Sequence, residues 1–102
     1  MFSGLFRKKK SYKFSDAETT VCITCSHVTE EKAPILYVSH DEDDGMWQFL
    51  CGSGKHEEHH AKLGALIELS NIDPTINQLY ELPVGFCAIR ETVEKPWTCL
   101  KS

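Results

Sequence analysis

Two short apolar runs joined by an acidic stretch that ends in Asp-Gly constrain this chain more than any other feature. Ile35-Leu36-Tyr37-Val38 is continuously apolar, His40-Asp41-Glu42-Asp43-Asp44-Gly45 follows, and residues 46–51 return to apolar character. Asp-Gly tolerates the positive φ angles that a tight hairpin turn needs, so a β-hairpin is expected here. A calcium loop does not fit the same stretch. Gly45 falls fifth from Asp41 rather than sixth, and the twelfth position is Gly52.

The neighbouring segments extend this reading. Residues 20–28 are rich in β-branched side chains and read as a strand. Between residues 61 and 69, Ala61, Leu63, Ala65, Ile67 and Leu69 alternate with more polar neighbours, a period of two that predicts a strand, with Leu66 as the exception. Asp73-Pro74 has the form of an N-cap followed by proline at the first helical position. Ile76, Leu79 and Tyr80 then repeat at helical spacing until Pro83, predicting a helix over 73–82, and residues 55–61 suit a short helical turn. Residues 84–91 and 97–100 read as two last strands. The expected fold class is α+β: one domain, a mainly antiparallel sheet of about six strands, one clear helix and a short helical turn.

At 102 residues the chain has room for one modest core. The domain is expected over 20–102, behind a basic, flexible segment at 1–19. Of 11 basic residues, five (Arg7, Lys8, Lys9, Lys10 and Lys13) lie in the first 13 positions, which hold no acid. The rest of the chain therefore sets six basic residues against 15 acidic ones. Such a body is unsuited to nucleic acid, whose binding rests on neutralising phosphates, and suits a basic protein partner. The basic start offers at most a weak contact with a membrane surface. No apolar run approaches the roughly 20 residues of a membrane-spanning helix. The charges follow the first apolar residues, the reverse of a secretory signal, so a cytoplasmic location is expected. Five cysteines, an odd number, are then expected to be reduced thiols.

Three groups of residues carry chemistry. Cys22-Ile23-Thr24-Cys25-Ser26-His27 resembles a metal or redox motif, but on a strand Cys22 and Cys25 point to opposite faces. Cys25 and His27 would share a face, and Cys51 and His56 would be the completing ligands of a zinc site. The competing reading makes these cysteines small buried hydrophobes. His56-Glu57-Glu58-His59-His60 contains H-E-x-x-H, which serves metallopeptidases on a continuous helix; Gly52, Gly54 and Gly64 argue against that helix. No catalytic constellation emerges, so the chain is expected not to be an enzyme and to need no cofactor unless zinc is bound. Arg90, within an apolar strand, is expected to have a carboxylate partner. Trp47 and Trp97 read first as core aromatics and second as binding anchors.

The strings PILYVSHDEDDGMWQFLCG and IDPTINQLYELPVGFCAIRE, followed by Trp97, resemble the immunity protein 33 family of bacterial polymorphic-toxin systems. The resemblance spans residues 20 to 100 and includes Asp44-Gly45-x-Trp47, Asp73-Pro74 and Leu82-Pro83-x-Gly85. It implies a non-enzymatic protein that neutralises a cognate toxin by binding it. The hairpin acids Asp41, Glu42, Asp43 and Asp44, with Trp47 beside them, are the expected contact region for a basic toxin domain. The alternative is a small structural or regulatory zinc protein built on Cys25, His27, Cys51 and His56.

Overall fold

A computed structural model describes residues 12–52 and 61–102. Six strands form one sheet: β1 (Val21–Cys25), β2 (Tyr37–His40), β3 (Trp47–Leu50), β4 (Ala61–Ala65), β5 (Phe86–Ile89) and β6 (Thr98–Lys101). Among the described residues, two α-helical segments, α1 (Ser26–Thr29) and α2 (Leu66–Ile72), and a 3-10 helix (Pro74–Leu79) accompany the sheet. The class is α+β. Among the described residues, no helix is long and apolar enough to cross a membrane.

The predicted hairpin is present. β2 and β3 pair antiparallel with Val38 opposite Phe49, and Gly45 takes φ +74° in the connection. The sheet order is β4-β1-β3-β2-β5-β6, so β3 inserts between β1 and β2. The β1–β3 pair is parallel and the other four pairings are antiparallel.

Two sequence expectations are corrected at strand ends. The segment 20–28 is not one strand, because β1 stops at Cys25 and α1 begins at Ser26. The segment 61–69 likewise divides into β4 and α2. Leu66, Leu69 and Ser70 are buried at i, i+3 and i+4, so the apparent exception to the alternation was the first residue of a helical stripe. Tertiary contacts hold this helix start. The Leu66 and Ile67 amides donate to the carbonyls of Thr20 and Glu18, and the Ala65 amide to Glu68 Oε1 at 2.9 Å. The helix expected over 73–82 is the 3-10 helix, where Asp73 Oδ1 accepts from the Thr75 amide at 3.0 Å. The expected turn at 55–61 lies outside the described residues, save Ala61, which opens β4.

One sheet face builds the core. Cys22, Thr24, Val38, Trp47, Phe49 and Ala88 point inward, and Leu66 and Leu69 of α2 with Ile76 and Leu79 of the 3-10 helix cover them. Phe14 joins this core, edge-on to Trp47 with ring centroids 5.0 Å apart. The Lys13 amide donates to Asn77 Oδ1. Residues 12–14, which the sequence placed in the flexible start, are thus part of the domain's packing; residues 1–11 lie outside the described residues. The opposite face carries Val21 of β1, Leu63 of β4, Ile89 of β5 and Leu100 of β6, all exposed.

Candidate metal centre

The end of β1 and the end of β3 bring three ligand-type side chains together. Cys25 is the last extended residue of β1, with φ −136° and ψ 159°. The chain then makes a single helical turn, closed by the Glu30 amide on the Ser26 carbonyl at 2.8 Å. This turn, not strand alternation, carries His27 back beside Cys25. Cys51 follows β3, and Gly52 turns the backbone away immediately after it. Gly52 has φ +76°, and a Cβ there would stand 3.2 Å from Leu36 Cβ, so position 52 demands glycine twice over.

The ligand atoms of Cys25, His27 and Cys51 all lie within 4.8 Å of one another, and Cys51 Sγ is 3.7 Å from His27 Nδ1. Thiolates around a tetrahedral zinc, with bonds of about 2.3 Å, stand roughly 3.8 Å apart. Closing the observed triangle on an ion needs movement on the order of 1 Å, within reach of side-chain rotation. Both sulfurs are sheltered, Cys25 at 1% and Cys51 at 7% exposure, while His27 is half-buried. Burial pushes the Cys25 thiol above its ordinary pKa, outweighing the backbone amides of Cys51 and Val28 that pull it down. A cation would take the place of that proton, since the ligand is the thiolate.

Of the four residues expected to form a zinc site, three therefore converge; His56 lies outside the described residues, as does the whole H-E-x-x-H stretch. Cys22 takes no part. It is fully buried on the inner face, its thiol donates to the Thr20 carbonyl at 3.6 Å, and burial pushes its pKa up to about 12.

The hairpin acids divide into two kinds. Asp41 is a brace: its carboxylate accepts from Ser39 Oγ at 3.0 Å and Gln48 Nε2 at 2.7 Å. Glu42, Asp43 and Asp44 are exposed at the tip. Trp47 is not on that surface. It is 1% exposed, stacked on His40 at 3.9 Å between centroids, and belongs to the core.

Arg90 has the carboxylate partner expected of it. Its Nη2 donates to Asp73 Oδ2 at 2.7 Å and to the Ile35 carbonyl at 2.9 Å, its Nη1 reaches Thr75 Oγ1, and Trp97 lies under the guanidinium at 4.1 Å. The sequence singled out Arg90 and Asp73 separately; only the fold shows that Asp73 caps the 3-10 helix with one oxygen and holds Arg90 with the other. A neighbouring groove of about 680 Å³, lined by Val28, Ile35, Ile72 and Val93 among others, has Asp73 and Thr75 on its wall. Both are already bonded to Arg90, and Lys32 and Thr29 are the other polar residues among an otherwise apolar lining.

The chain matches no family model, and searches of curated proteins and of solved structures return no relative.

Proposed function

We propose that this chain is a small metal-binding protein of the cytoplasm, in which Cys25, His27 and Cys51 hold a thiophilic cation, zinc first among them, in a structural role. The observation that carries the reading is the convergence of two sheltered sulfurs and an imidazole from two separate chain segments within 4.8 Å. Two thiolates and an imidazole select soft or borderline cations over magnesium or calcium, which prefer oxygen. An ion here ties the β1–α1 junction to the end of β3, a clamp of direct value to a domain this small. Elemental analysis of untagged protein purified without chelator should find about one zinc per chain. Cobalt substitution should give the visible absorption of a tetrahedral thiolate site, lost in Cys25→Ser and Cys51→Ser. Protein that neither retains zinc nor develops that absorption rules the reading out.

A second reading, compatible with the first, is partner binding of the immunity type. It is favoured by the three exposed acids at the hairpin tip, Glu42, Asp43 and Asp44, on a chain with net charge −4. Charge of this sign speeds encounter with a basic toxin domain, and occupation of the toxin's surface needs no catalysis. Calorimetry against a cationic toxin domain is the test. Triple alanine substitution at the tip should weaken binding and slow association; unchanged binding removes the tip from the interface.

A further inference from the structure

We infer that Cys25 and Cys51 are a reversible oxidation site: hydrogen peroxide joins them in an intrachain disulfide, and closing that bond discharges the ion they hold. The disulfide stands on geometry alone, whereas the discharge rests on the metal-binding reading.

β1 and β3 are neighbouring parallel strands with Ile23 level with Gln48. Thr24 Oγ1 donates to the Phe49 carbonyl at 2.6 Å, so the strands still run side by side one residue later. The same register sets Cys25 level with Leu50, and Cys51 is one residue beyond. A strand spacing of about 4.8 Å and a rise of about 3.3 Å then put the two α-carbons roughly 6 Å apart, where disulfide-bonded pairs cluster. The two sulfurs already lie within 4.8 Å of each other, and the Cys51 amide donates to the Cys25 sulfur.

No other two of the five cysteines meet these conditions. Cys22 is three positions back along β1, about 10 Å from Cys25 and further from Cys51. Cys87 lies on β5, which β2 separates from β3, so at least two strand spacings, about 10 Å, keep it from Cys51. Cys87 and Cys99 occupy neighbouring strands, but Leu100 stands opposite Cys87 and Cys99 opposite Ala88, so their side chains leave the sheet on opposite faces.

Cys51 is the less sheltered of the pair, at 7% exposure against 1%, and reacts first. Its sulfur attacks peroxide and the O–O bond breaks. One oxygen stays on sulfur as the sulfenic acid, and the other leaves with the thiol proton as water. The Cys25 sulfur then attacks that of Cys51, the S–O bond breaks, and hydroxide leaves with the Cys25 proton as a second water. Two electrons pass from the sulfur pair to peroxide. From the zinc-bound form both sulfurs start as thiolates, and solvent supplies the two protons. Disulfide sulfurs are neutral and weak donors, so His27 remains as one ligand of three and the ion departs. A thiol reductant restores both cysteines.

The test treats the zinc-loaded full chain with a small molar excess of hydrogen peroxide, then alkylates it under denaturing conditions and maps its peptides. One linkage should join Cys25 to Cys51, with Cys22 and Cys87 still alkylated, and dithiothreitol should reverse it. A chromogenic chelator should collect zinc in step with the linkage, about one ion per disulfide. Cys51→Ser should abolish the linkage, and Cys22→Ala, which removes the neighbour on the same peptide, should leave it in place. Peroxide that leaves Cys25 and Cys51 alkylated, takes them to sulfinic acid unlinked, or joins a different pair overturns the site. A linkage that forms while zinc stays bound overturns the discharge. Protein that forms the linkage but holds no zinc from the start keeps the oxidation site and removes the metal-binding reading.

Discussion

Arg90 and the Cys25/His27/Cys51 cluster are both sheltered sets of polar side chains, and they differ in what each set asks for. Around Arg90, donors meet acceptors: the guanidinium faces a carboxylate, a hydroxyl and two backbone carbonyls, with Trp97 beneath it. The set is complementary within itself. The two thiols and the imidazole are alike instead, each an electron-pair donor once deprotonated, and the contact between Cys51 and His27 is long at 3.7 Å. A cation at the centre is the one partner that all three could share as ligands. The first arrangement is how a fold disposes of a buried charge, and the second has the donor set that the proposed ion would need.

The largest effect should come from breaking the self-contained set. Arg90→Met leaves the Asp73 carboxylate and the Ile35 carbonyl without their main partner, and should cost about 3–5 kcal/mol in urea unfolding, with or without zinc. The cluster should behave oppositely, its contribution depending entirely on metal. With free zinc at a hundredfold over Kd, binding adds about 2.7 kcal/mol, which a chelator or Cys25→Ser should remove and the two together should remove no further. If Arg90→Met were metal-dependent, or the Cys25→Ser effect metal-independent, the distinction would collapse.

Cys22 sharpens the comparison as a cysteine outside both sets. Its folded pKa of about 12 lies above the ordinary 9.0, so between those values the unfolded chain has lost a proton that the folded chain keeps. The stability linked to Cys22 is therefore complete below about pH 9 and falls as pH rises toward 12. Cys22→Ala should flatten that alkaline decline, read as the melting temperature against pH, and leave zinc stoichiometry unchanged. The smallest effect belongs to the hairpin tip. Alanine at Glu42, Asp43 and Asp44 should move stability by no more than about 0.5 kcal/mol each, since these side chains are exposed.

The hairpin, the last two strands, the Asp73 cap and the need of Arg90 for a carboxylate were legible because each is signalled within a few residues. The strand-to-helix junctions at Cys25 and Ala65 were not. Neither residue can cap a helix with its side chain, and the orphan amides after Ala65 are met by the carbonyls of Thr20 and Glu18, more than forty residues upstream. Reading 20–28 as a single strand also gave the wrong route to the cluster. Cys25 and His27 were grouped as alternate strand positions, whereas a helical turn brings them together. Trp47 is the core aromatic of its first reading, and grouping it with the hairpin acids failed because its stacking on His40 and its contact with Phe14 are tertiary facts.

The order β4-β1-β3-β2-β5-β6 has a consequence for how the chain gains its structure. The first three strands lie together at the centre of the sheet as β1-β3-β2, and the later ones flank them, β4 beside β1 and β5 beside β2, with Tyr37 registered on Ile89. The first half therefore supplies the centre of the sheet, and the second half supplies both of its edges. A chain ending before β5 would leave β2 as a raw edge, an invitation to pair with other chains. Closure of the full sheet should be slow for a protein of this length, because β2 meets β5 across about fifty residues and β1 meets β4 across about forty.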